Sequence, residues 1–366
     1  MKKICFINVN AYSIFNPRSK AVVGGTEVQL FNIANYLSFG NNFQISFIVG
    51  DWGQKVDEEY YGKIKLVKSF SLQKTLWNYV KAPFVLWNKL TKEDADVYIA
   101  SSAGVEIGII ALFCKMKGRR FIYRTAHQID CNLEFIKERG IVGKIYKYGL
   151  ENTDVVITQN KEHQEMLWNN HKIDAIILKN CYNIKMTNKQ DKKYILWVAR
   201  CDKWKRPKLF LRIVKNFSQE KFIMISPRVE HNKQLFVEIE KEARQLNNLQ
   251  FIEKVPFSKI QEYFNKAKLF IGTSDYEGFP NTYLQACMGG TPIISLRVNP
   301  DKFITKNSLG YCADGNFNLM LKQIKQILKN KDDWKVKSDN TLEYVKKNHD
   351  INNIGKRWEK IINKLV

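Results

Sequence analysis

Short apolar runs rich in Ile, Val and Phe recur roughly every 20 to 40 residues along the chain, separated by segments of helical spacing. This is the alternation of a parallel sheet covered by helices. It predicts strands over 4–9, 45–49, 65–67, 97–100, 121–124, 155–158 and 176–178, most of them near-continuous in apolar character, as strands buried on both faces must be. A polar stretch over 183–193 interrupts the rhythm and reads as a linker. A second set follows at 194–199, 222–226, 249–252, 269–272 and 292–295, with helices over 230–247 and 257–267 between its members. Past Tyr311 the spacing predicts helices only, over 316–330, 332–348 and 352–364. The class is therefore α/β, in two sequential units, and a crevice between such sheets is where their ligands are expected.

Length agrees, because 366 residues exceed what one growing core organises. No apolar run reaches the roughly 18 to 20 residues that a bilayer span needs. The start, Met1-Lys2-Lys3 and then Ile4 to Val9, is basic and then apolar, yet Asn8 and Asn10 interrupt it and no small-residue cleavage site follows, so it reads as a first strand. The seven cysteines are odd in number and never spaced C-x-x-C, which signals neither a disulfide framework nor zinc and fits a reducing cytoplasm. A net charge of +23 calls for an acidic partner: nucleic acid, an anionic membrane leaflet or a phosphorylated substrate. AT-rich coding would enrich Lys in the same way. The charge is spread through the chain without a basic arm or recognition motif, which ranks nucleic acid last.

The most specific chemistry lies in 273–292, after a strand and leading into a helix. Gly278 supplies backbone freedom, Pro280 suits helix entry, and the amides of Asn281, Thr282 and Tyr283 then face outward at a positive helix end, where a diphosphate can sit. Glu277 lies before that end and Gln285 about one turn inside, so a carboxylate and an amide can address one ligand. Arg200 and Lys205 follow the first strand of the second unit. In the first unit Gly24-Gly25 precedes an amphipathic helix, and His127 sits just past a strand end. Asp94-Ala95-Asp96 matches the D-x-D pattern of metal-dependent transferases but precedes its strand, whereas ligands gather at carboxyl ends. No H-E-x-x-H, G-x-S-x-G, full P-loop or G-x-G-x-x-G stretch is present.

With these residues the sequence resembles the retaining nucleotide-sugar glycosyltransferases of the family 4 group, which have the GT-B fold. Glu277, Gly278, Phe279, Gly290 and Pro292 match the group's E-x7-E stretch, with Gln285 in place of the second glutamate. Arg200 and Lys205 match its G-R-x5-K-G element, and Gly24-Gly25 its glycine-rich loop. The resemblance implies two Rossmann-like parallel-sheet domains facing each other across a cleft: 1–187, completed by a C-terminal helix over 350–366, and a donor-binding domain over 188–349. It implies His127 and Glu277 as catalytic residues, with Gly24, Gly25, Arg200, Lys205, Gly278, Phe279, Pro280, Asn281, Thr282 and Gln285 holding the donor. Arg200 and Lys205 would neutralise the departing diphosphate, so neither a metal nor another cofactor is expected. The implied activity moves a sugar from a UDP-sugar, or less readily a GDP-sugar, to a glycan or lipid-linked acceptor, with peripheral contact to an anionic membrane. The alternatives are a catalytically weak nucleotide-sugar-binding partner subunit, or an epimerase or phosphorylase on the same architecture.

Overall fold

The computed structural model describes residues 1–16, 19, 23–71, 75–184 and 191–366. Most of the expected linker, 185–190, lies outside the described residues. Two compact units result: Met1–Asn183 with Asp350–Val366, and Ile184–His349.

Among the described residues the first unit has eight strands: β1 (Lys2–Ile7), β2 (Phe43–Asp51), β3 (Glu58–Tyr61), β4 (Ile64–Ser71), β5 (Val97–Ser101), β6 (Arg120–Arg124), β7 (Val155–Thr158) and β8 (Ile176–Ile177). Their order is β3-β4-β2-β1-β5-β6-β7-β8, parallel throughout except for β3 against β4. Along β1 the side chains alternate between two cores. Ile4 and Phe6 join Leu30, Ile33 and Trp358 on one face, and Cys5 and Ile7 join Leu90, Ile110 and Tyr146 on the other. Burial on both faces is why the strand reads as an unbroken apolar run. The last helix, Ile351–Leu365, packs on the helix Gly25–Phe39. Gly355 makes the approach possible, since a side chain there would occupy the space of the Tyr36 ring.

Among its described residues the second unit has six parallel strands: β9 (Tyr194–Val198), β10 (Phe222–Ile225), β11 (Leu249–Ile252), β12 (Ala267–Gly272), β13 (Ile293–Ser295) and β14 (Gly310–Cys312). Their order is β11-β10-β9-β12-β13-β14. Its core joins Ile195 and Trp197 of β9 to Phe210, Leu211, Ile213 and Val214 of the helix Pro207–Asn216. Asn316 caps the helix Phe317–Lys329, its side chain accepting from the Leu319 amide at 3.0 Å.

The pattern missed two strands. β3, Glu-Glu-Tyr-Tyr, is an edge strand largely open to solvent, and its polar character follows from that. β14 has only three residues and starts on glycine, so no alternation can register.

Candidate functional site

In an open parallel sheet, the loops after two neighbouring strands diverge where the strand order reverses, and the gap between them is where ligands settle. In the second unit that point lies between β9 and β12. The loops after these strands are tied together. The Asp275 amide donates to the Trp204 carbonyl at 2.9 Å, and the Thr273 hydroxyl donates to the Lys205 carbonyl at 2.7 Å while accepting from Trp197 Nε1 at 2.9 Å. The Trp204 and Tyr276 rings stack face to face, 5.2 Å apart.

This lacing brings Lys205 Nζ onto Glu277 Oε1, and the Ser274 hydroxyl donates to the same oxygen at 2.8 Å. The lysine head also lies 3.8 Å from the centre of the Trp204 ring. Burial pulls the Lys205 pKa below the ordinary lysine value, Glu277 opposes that shift, and the nearby positive Arg200 adds to it. The net downward shift is therefore burial's, which the Glu277 carboxylate offsets only in part. Arg200 is held at its base by Asp202, Nε to Oδ2 at 3.4 Å. Asp202 is buried, and its other oxygen takes His231 Nε2 at 2.6 Å and Asn232 Nδ2 at 3.0 Å. Arg200 itself is exposed.

β12 leads through Glu277, Gly278, Phe279 and Pro280 into the helix Asn281–Met288, with Pro280 at the cap position. β12 and this helix lie so close that a side chain at Gly272 would collide with the Tyr283 hydroxyl, which is bonded to Ser295 Oγ at 2.9 Å.

The first unit has its own switch point, between β1 and β5. Gly24 caps the helix Gly25–Phe39, with the buried Glu27 carboxylate folded over it. Thr26 meets Ser102, hydroxyl to hydroxyl at 3.4 Å, which ties this helix to the loop after β5. That loop is in turn tied to the one after β6: the Asp130 carboxylate accepts from the amides of Ala103 at 3.0 Å, Ala126 at 2.6 Å and His127 at 3.0 Å. Tyr146 donates its hydroxyl to the Asp130 carbonyl at 2.7 Å. His127 Nδ1 accepts from the Ile129 amide at 3.4 Å, which places the proton of a neutral ring on Nε2.

Residues 183–352 match the sequence model of the family described as glycosyl transferases group 1. The match takes in the whole of the second unit. Among curated proteins no sequence matches. Solved structures with the same fold include sucrose-phosphate synthase from Thermosynechococcus elongatus, with TM-score 0.79, 14% identity, and coverage of 100% of this chain and 99% of that one. Anabaena HepE in complex with UDP-glucose gives TM-score 0.74 at 12% identity, covering 100% of both chains. The E. coli trehalose-6-phosphate protein bound with UDP-2-fluoro glucose gives 0.74 at 11%, covering 100% and 99%. The fold is GT-B.

Within the second unit the structure gathers Arg200, Lys205 and Glu277 at one switch point, beside the helix that carries Asn281, Thr282 and Gln285. Two expectations change. Phe279, expected in the donor-binding set, sends its ring into the core, 4.8 Å from Phe303 and 5.4 Å from His349, so only its backbone is left to face a ligand. Of the three helix-tip amides, that of Tyr283 already donates to the Pro280 carbonyl at 3.1 Å. Gln285 is buried, and its main-chain carbonyl accepts from Gln261 Nε2 at 3.0 Å. Gly24, Gly25 and His127 belong to the first unit and sit on the carboxyl edge of its sheet. Asp94 and Asp96 lie at the opposite edge, before β5, where both pair with Arg119 at 2.5 and 3.4 Å.

Sequence reading missed Asp130, Asp202 and the Trp204–Tyr276 stack. The first had a signal, an acid three residues after His127, which is capping-box spacing and forms one here. Asp202 and the stack depend on contacts between distant loops and had none.

Proposed function

We propose that this chain transfers a sugar from a nucleotide-sugar, with a UDP-sugar as first candidate, to a glycan or lipid-linked acceptor in bacterial surface polysaccharide assembly. Transfer retains the anomeric configuration and uses no metal. The observation that carries this reading is the convergence of Lys205, Arg200 and Glu277 on the β9/β12 switch point, beside a helix start.

In this reading Arg200 and Lys205 take the donor diphosphate, whose charge grows as the bond to the anomeric carbon breaks. The new bond forms from the acceptor oxygen to the same carbon, and the acceptor proton passes to the departing phosphate oxygen. Glu277 Oε1 is spent on Lys205 and Ser274, so Oε2 is the atom that accepts from sugar hydroxyls. Gln285 addresses the ribose, with a neutral amide where an acid would bind more strongly. His127 offers Nε2–H toward the sugar and orients it. Support for a uridine nucleotide comes from what is bound in HepE and in the E. coli protein.

A panel of nucleotide-sugars read by thermal shift tests the donor class. A true donor at 100 times its Kd adds about 2.7 kcal/mol to native stability. A panel without any shift rejects the reading. Nucleotide release on adding acceptor then separates transfer from the partner-subunit reading that Gln285 keeps open, which requires donor binding without release. His127→Ala is expected to cut turnover far more than donor affinity, and unchanged turnover removes His127 from the site.

A further inference from the structure

The helix Leu76–Glu93 is apolar on two opposite faces. One face is ordinary: Leu86 and Leu90 are buried in the core, and Trp87 packs edge-on against Phe113, 5.2 Å between rings. The other is not. Trp77, Val80 and Phe84 are 66%, 52% and 74% exposed, and the helical period sets them on one stripe, three and four residues apart. Lys81 belongs to the same stripe, with Nζ 4.8 Å from the centre of the Trp77 ring. The helix's only carboxylate, Glu93, is buried against Lys65 at 2.9 Å, so the helix shows cations and apolar groups to solvent and no anion. The helix follows β4, which is parallel to β2, so its first turns lie at the carboxyl edge of the sheet, the edge that carries Gly24 and His127. On that same edge Ile141 is 74% exposed, at the start of the helix Gly140–Glu151, with the exposed Lys144 following.

We infer that the stripe Trp77, Val80, Lys81 and Phe84 is a membrane-docking face that seats the first unit on an anionic lipid surface. Aromatic and branched side chains enter the boundary between headgroups and acyl chains, while the Lys81 stem follows them and leaves its ammonium among the phosphates. The chain's +23 charge draws the protein to such a surface from a distance, and the stripe fixes which side faces it. A lipid-linked acceptor would then lie beside the edge that holds His127. Docking does not depend on donor chemistry, so the two can fail separately.

The test is sedimentation of the full chain with phosphatidylcholine vesicles, with and without phosphatidylglycerol. Binding is expected to the anionic vesicles and to weaken as salt is raised. Trp77→Ser with Phe84→Ser should lower partitioning about tenfold or more. Lys81→Glu should lower it severalfold on anionic vesicles. Both variants should keep the wild-type response to a UDP-sugar in thermal shift, which reports an intact fold and donor site. Equal partitioning of wild type and double variant overturns the inference, as does wild type bound to neither vesicle. Self-association that Phe84→Ser abolishes, without vesicle binding, also overturns it and assigns the stripe to a second copy of the chain.

Discussion

At the β9/β12 switch point the loops meet through charged side chains, Lys205 on Glu277 and Arg200 on Asp202. At the β1/β5 switch point and the neighbouring β6 loop they meet through main-chain amides gathered on Asp130 and through the Thr26–Ser102 contact. The second unit thus fixes charge, and the first fixes loop shape. Fixed charges demand particular residue types at particular spacings, because a diphosphate is recognised by cations and aligned amides. A latch of backbone amides needs only one short acid at a cap. The family match falls on 183–352, which takes in the whole of the second unit.

Four experiments sharpen or break that contrast. Removing a desolvated cation aimed at developing charge should have the largest effect: Lys205→Ala is expected to lower nucleotide-sugar turnover about 10²- to 10³-fold, measured by nucleotide release. An equal loss from Asp130→Ala would erase the distinction between the units. Next, Glu277→Ala strands the Lys205 ammonium, with both groups 14% exposed, and should cost about 3 kcal/mol in urea unfolding. The double change Lys205→Met and Glu277→Leu should recover most of that stability and none of the turnover. Asp130→Ala, which leaves three amides without their acceptor, should cost about 1 to 3 kcal/mol while leaving the UDP-sugar thermal shift of the second unit intact.

The smallest effect concerns Lys192, which donates to the Gly289 carbonyl at 2.6 Å and to the Thr291 hydroxyl at 3.1 Å. Burial holds its pKa at about 8, below the ordinary 10.5. Between those values the unfolded chain binds a proton that the folded chain lacks, so stability should rise with pH across the window. Lys192→Met should remove that rise in melting temperature, and an unchanged profile would assign it to other groups.

Most of the sheet strands were legible because burial on both faces leaves an apolar run that needs no partner to be seen. β7 and β11 match the predicted ranges, and the helix predicted over 316–330 starts one residue late, behind its Asn316 cap. β3 and β14 were not legible, the one polar at an open edge and the other too short. In the candidate site, Arg200, Lys205 and Glu277 could be named from the motifs that carry the family resemblance. Their partners could not. Phe279 shows why: the motif match put it among the donor-binding residues, but Phe303 and His349, 24 and 70 positions further along, claim its ring.

By itself the sequence determined the α/β class, the restart of the strand pattern after 183–193 and the positions where cations and a carboxylate follow strands. Each of these is local: periodicity records which faces are buried, and a strand end is where the apolar run stops. Only the tertiary structure decided that β12 lies against β9, which sets Glu277 on Lys205 across 72 residues of chain. It likewise decided that Asp130 holds two loops at once, and that one helix keeps Trp77 and Phe84 in solvent. Strand order and side-chain exposure are set by packing between distant segments, and neighbouring residues in a sequence carry no record of it.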